Sequence, residues 1–212
     1  MHAPDQKDVG RAGAAATSDS ATAVDEIRSL EAKLLGMKKE LLFSAAAVDD
    51  GADSLSLGFL VVRVGDEQFA APISQVVEVV ELPALTPLGD TVRTIAGLCN
   101  YHGQVLAVVD VAELSGRPRS PVSVDRVLVV CAVEPRTFAL MVDEALEVVT
   151  ADPGAVTLAD EVMSGVMRSA GVLRLAGNAT AQIIDLAWIA VGAQLAALLS
   201  ADAATPAQER GA

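Results

Sequence analysis

The sequence predicts a mainly β fold, with two small barrels packed together, and three observations predict it. A strand–turn–strand signal occurs twice. "FLVVRV" (59–64), Gly65-Asp66 and "EQFAAPI" (67–73) form the first; "RVLVVCAV" (126–133), Glu134-Pro135-Arg136 and "TFALMVD" (137–143) form the second. These stretches belong to a longer tandem repeat. Residues 59–80 lie over 127–149 with one residue's slack at the turn, and both reach an acid followed by two valines, at Glu78 and Glu147. "GLCNYHGQVLAVVD" (97–110) then lies over "GVLRLAGNATAQIID" (171–185), each running from a glycine through a strand and turn to a strand that ends in Asp. Two copies spaced about 70 residues apart are too few and too long for a solenoid. Composition is the third observation. Hydrophobic residues make up 52% of the chain but aromatics only 3%, so the core must be built from Val, Leu, Ile and Ala. Each strand alternates enough to place one face inside a barrel.

The elements follow in order. Residues 1 to 20 are Ala, Asp, Ser, Thr and Gly without apolar period and read as disordered. Ile27, Leu30, Leu34, Met37 and Leu41 recur at steps of three and four among Lys, Glu and Arg, which predicts an amphipathic helix over 22–46. Its stripe either packs on its own domain or serves as a short coiled coil or docking helix. Residues 47–56, "AVDDGADSLS", read as a linker. After the first hairpin and the "GLCNYHGQVLAVVD" segment, Asp110 as N-cap with Glu113 at N3 resembles a capping box, and Gly116 closes a single helical turn. Asp185 opens the last helix in the same way, with Trp188, Val191, Leu195 and Leu198 as the stripe to bury. The tail 201–212 is polar and loose. The expected domains are 1–56 (disordered start, amphipathic helix and linker), 57–192 (the β domain) and 193–212 (end of the last helix and tail).

Several classes of function are excluded. A net charge of -13 offers no basic footprint for nucleic acid and disfavours anionic membranes. The start Met1-His2-Ala3-Pro4-Asp5 lacks the layout of a signal peptide. The longest uncharged apolar run, 186–199, falls short of the ~20 residues a spanning helix needs. Cys99 and Cys131 form no CxxC pair and sit in apolar runs as small buried side chains. One imidazole, His102, stands outside the disordered start, and no zinc-ligand spacing surrounds it. Asp110, Asp143 and Asp185 each end an apolar strand, where capping a helix or turn explains them. There is no P-loop, no GxGxxG and no GxSxG. No catalytic residue, metal or cofactor is expected.

In order, "FLVVRVGDEQFAAPISQVVEVVELPALTPL", "IAGLCNYHGQVLAVVDVAEL", "ALMVDEALEVV" and "GVLRLAGNATAQIIDLAWI" resemble the CheW-like domain, the coupling module of bacterial chemosensory systems. The resemblance covers 57–192. It implies two five-stranded SH3-like β-barrel subdomains around a shared core, with short helices. It implies a non-enzymatic, stand-alone adaptor connecting a CheA-type histidine kinase, through its regulatory domain, to the cytoplasmic tip of methyl-accepting chemoreceptors. Other CheW-like domains are further expected partners; nucleic acid and direct membrane insertion are not. The implied location is cytoplasmic, peripheral to receptor arrays. The alternative is a scaffold that self-associates, or tethers another partner, through the N-terminal helix.

Within the resemblance, "NYHG" matches an Asn-x-Arg-Gly turn on the receptor-facing surface. Asn100 and Gly103 match, His102 stands in place of the arginine, and Glu78 matches the acid that pairs with it. Arginine is always charged and forked, whereas histidine is smaller and titrates near pH ~6.5 when unperturbed. The expected contact surface is Val76, Glu78 and Val79 with Asn100, His102, Gly103 and Val105. Val76 and Val79 can equally be core. Asn100 and Gly103 can serve the turn itself, since Gly tolerates positive φ and Asn bonds its own backbone.

Overall fold

The computed structural model describes residues 29–30, 33–34, 36–48, 56–88, 93–117, 126–158 and 163–192. The chain divides into an N-terminal unit, residues 1–40, and a second unit, residues 41–212. In the first, residues 29–30, 33–34 and 36–40 are helical, and Leu30, Leu34 and Met37 are exposed. The predicted stripe is therefore not core among the described residues, and Ile27 lies outside them.

The second unit opens with helical residues 41–46 (α1). Leu42 and Ala46 are buried here, one position round from the exposed Leu41 of the predicted stripe. Strand β1 (Ala47–Val48) pairs with the start of β2 (Ser56–Val64), so the expected linker is partly strand. Residues 49–55 lie outside the described residues. The first copy continues with β3 (Glu67–Pro72), β4 (Val76–Glu81), β5 (Ile95–Tyr101), β6 (Gln104–Asp110) and the single-turn helix α2 (Val111–Leu114). The second copy holds β7 (Val127–Val133), β8 (Arg136–Val142), β9 (Glu144–Ala151), β10 (Val156–Leu158), β11 (Met163–Ser164), β12 (Met167–Arg174) and β13 (Thr180–Ile184). Helical residues 186–192 (α3) follow.

The fold is mainly β in two sheets, as predicted, but the copies do not map one to a sheet. The first sheet runs β9–β2–β3–β13–β12, extended by the short β1, β10 and β11. The second runs β4–β7–β8–β6–β5. Each sheet takes its opening hairpin from one copy and its other three long strands from the other. The joints are the same on both sides. β13 runs parallel to β3, with Ile183 opposite Ala70, and β6 runs parallel to β8, with Val108 opposite Ala139. Register equates each position of the opening strands with the one 69 residues later: Val62 with Cys131, Phe69 with Phe138, Glu78 with Glu147. Both hairpins turn on two residues, joining Val64 to Glu67 and Val133 to Arg136. The slack expected at the turn is absent, because Phe59 stands over Leu128 and not over Val127.

Three apolar clusters follow from this layout. Leu57, Phe59 and Val61 point into the first sheet's own core with Ala70, Leu173 and Ile183, which Leu42 and Ala46 close from α1. Leu60, Val62 and Val64 point the other way, into a core shared with Val129, Cys131, Phe138 and Leu140 of the second sheet. Cys99, Leu106, Val108, Leu128, Val130 and Met141 fill the second sheet. Strand β2 is thus buried on both faces, not one, because its outer face packs against the other subdomain. Burying side chains of this size contributes roughly 1.5–3 kcal/mol each.

The caps stand as the sequence predicts. Asp110 accepts from Ala112 N at 3.0 Å and Glu113 N at 3.4 Å, and Gly116 ends the turn at φ +78. Asp185 accepts from Trp188 N at 3.0 Å. The last helix differs in its face: Leu186, Ile189 and Ala190 are buried, while Trp188 and Val191 are exposed. Leu195 and Leu198 lie outside the described residues. Asp143 serves the first turn, accepting from Gly65 N at 2.7 Å, and pairs with the buried Arg126 at 3.1 Å.

Candidate partner-binding surface

The second sheet curls until its edge strands β4 and β5 face each other. No ladder joins them, and the contact is made by side chains and by one bridge from the connecting segment. Thr86 and Leu98 exchange two backbone hydrogen bonds of 2.8 Å. Across the remaining gap the Tyr101 hydroxyl donates to Glu78 Oε2 at 2.6 Å. His102 Nε2 lies 3.7 Å from the same oxygen.

A β-bulge shapes β4. Val76 pairs with Cys131 and Glu78 with Val130, so Val77 has no partner position. A bulge bends the strand and re-aims its side chains. Val77, Glu78 and Val79 are consecutively exposed as a result, which strict alternation forbids. Val76 is half-buried and packs against the shared core, so it follows the core reading.

The β5–β6 connection is a two-residue turn. His102 has φ +49 and Gly103 φ +83, the pair of positive values that a type I′ hairpin requires. Asn100 Oδ1 accepts from Gly103 N at 2.9 Å, so Asn100 and Gly103 both build the turn. His102 stands at its tip, 76% exposed, with its ring edge-on to Tyr101 at 4.3 Å between centroids. Val105, 68% exposed, lies opposite Asn100 in the ladder.

The structure therefore brings Glu78, Asn100, His102 and Gly103 together at one seam and flanks them with Val77, Val79 and Val105. Val77 and Tyr101 were missed in the sequence. Nothing local marks the bulge that exposes Val77. Tyr101 had a weak signal, as the only tyrosine of the chain, placed at a strand end.

The electrostatics are those of a wet surface. The hydrogen bond to Glu78 raises the Tyr101 phenol above its ordinary value, with burial and the carboxylate's charge acting the same way. His102 and Glu78 both stand in solvent, where such pairs contribute ~0–1 kcal/mol. Desolvation pushes the Cys131 thiol up to about 12 and raises Cys99, so neither is a ready nucleophile. Among the described residues no helix is long and apolar enough to cross a membrane.

The chain resembles known proteins over the β unit. A family model of the CheW-like domain matches residues 58–193. Chemotaxis protein CheW of Rhizobium meliloti (strain 1021) is 28% identical over 121 residues, 56% of this chain and 78% of that protein. The crystal structure of the scaffolding protein TtCheW from Thermoanaerobacter tengcongensis is similar in fold, with a TM-score of 0.55 at 22% identity over 60% of this chain and 88% of that one.

Proposed function

The chain belongs to the CheW-like domain family, and from that premise we propose that it is a non-enzymatic adaptor coupling a CheA-type histidine kinase to the cytoplasmic tip of chemoreceptors. On this reading it works in the cytoplasm, peripheral to membrane receptor arrays, and its partners include other CheW-like domains. The observation that carries the reading is the seam between β4 and the β5–β6 turn. Exposed Val77 and Val79 neighbour Glu78 along β4, exposed Val105 lies opposite Asn100 beside the turn, and Glu78, Tyr101 and His102 form the polar centre. Apolar side chains beside oriented polar groups suit protein recognition, and a rigid turn lowers the entropy lost on docking. Val76 supports the surface by packing beneath it, and the exposed Asn100 and Gly103 support it by forming the turn.

The experiment is a titration of the full chain against a CheA regulatory domain and, separately, a receptor-tip fragment from the same genome. Binding to both is expected. Val79→Lys with Val105→Lys is expected to weaken receptor-tip binding at least tenfold while leaving the thermal transition in place. Binding of neither partner by the unaltered chain would remove the coupling role. Undiminished receptor binding by the double variant would move the contact elsewhere.

A further inference from the structure

We propose that two copies of this chain pair antiparallel through the helix that carries Leu30, Leu34 and Met37. These side chains are 64%, 51% and 60% exposed, and they follow Ile27 at the alternating steps of three and four that define a coiled-coil seam. With Ile27 and Leu34 at a and Leu30 and Met37 at d, the flanking charges take fixed places. Glu31 and Lys38 fall at e; Glu26, Lys33 and Glu40 fall at g.

Those charges choose the partner and its direction. In a parallel pair of identical helices, each g residue meets the e residue five positions on in the partner. Lys33 would meet Lys38 of the second copy, and the contact repels. In an antiparallel pair, g meets g and e meets e. About the layer in which Leu34 faces Met37 of the second copy, Lys33 meets Glu40, and the two-fold axis repeats the attraction. Lys33 and Glu40 are exposed and Lys38 half-buried, so Lys33 and Glu40 at least are open to such pairing. The pattern complements itself in one direction and opposes itself in the other. A second copy is therefore the occupant the helix fits.

The seam is short, so the association is concentration-dependent and weakens with salt. Sedimentation equilibrium of the full chain at low salt, over a wide range of protein concentration, tests it without kinase or receptor, so its outcome stands apart from the coupling role. A monomer–dimer equilibrium is expected. Leu34→Asp is expected to abolish it with the far-ultraviolet circular dichroism and denaturation midpoint unchanged, because the side chain is exposed. Lys33→Glu sets like charges against Glu40 and is expected to loosen the dimer about tenfold, with Lys33→Glu plus Glu40→Lys restoring it. In a parallel dimer Lys33→Glu would instead face Lys38 and tighten the pair. A chain that stays monomeric throughout, a dimer indifferent to Leu34→Asp, or one that Lys33→Glu tightens each overturns the proposal.

Discussion

Glu78 and Tyr101 hold the open side of the second sheet with one short hydrogen bond, and the chemistry of that bond is measurable. The phenol is raised above its usual value of 10.0, first by the hydrogen bond to Glu78. A raised folded value means the stabilisation is fully present below the unfolded phenol's pKa and is lost as pH rises through the folded one. Because Tyr101 is the chain's only tyrosine, the phenolate absorbance near 295 nm titrates this residue alone. Glu78→Gln is expected to bring that titration back toward pH 10; a midpoint that does not fall would show that the carboxylate is not its cause. Part of this seam was readable in the sequence. Asn100 and Gly103 were, because a turn's needs are local: positive φ and a side chain that bonds its own backbone. The nearness of Glu78 to His102 rested on resemblance. Val77 and Tyr101 were not readable, since a bulge and the curl of a sheet depend on strands far away in sequence.

At the scale of the element, the two copies repeat even their irregularities. β5 and β12 both bulge just before a glycine, Gly97 and Gly171. A methyl group on either would stand 2.7 Å from Thr86 O or 2.6 Å from Thr157 O, so each glycine admits a neighbouring backbone. Gly171→Ala is expected to cost about 1–3 kcal/mol in urea denaturation, near the top of that range because a carbonyl cannot swing away as a side chain can. Gly154→Ala, with nothing within 4 Å, is the control and is expected to be neutral or slightly stabilising. Equal costs for the two would argue against close approach as the reason for Gly171. Strands, hairpins and caps were legible because pairing and capping leave local signatures. The helical stripes were not legible in the same way. Apolar period shows that a face can be buried; it does not say which of two apolar faces the fold uses, and in α1 and α3 the fold uses the other one, through Leu42 and Ala46, and Leu186, Ile189 and Ala190.

At the scale of the molecule, neither copy owns a core. The sheet order that exchanges hairpins ties each copy to the other through four ladders, β2–β9, β3–β13, β4–β7 and β6–β8. Residues 41–117 and 126–212, made separately, are expected to lack fixed structure, and mixed they are expected to regain the sheet signal; independent folding of either half would contradict the exchange. For the same reason the paired sheets should unfold in one transition, with tryptophan fluorescence and backbone circular dichroism coincident. The duplication was plain in the sequence, but the exchange was not, since similarity of two segments carries no record of which strands they pair with. The parallel joints extend this further. Asp110 opens α2 at the end of β6, before the second copy, and Asp185 opens α3 at the equivalent end of β13, so the second copy closes as the first does. Joining the end of the second copy to the start of the first, and opening the chain between 117 and 126 instead, would give a circularly permuted chain expected to form the same two sheets. Which copy is translated first is, in this architecture, a matter of history and not of structure.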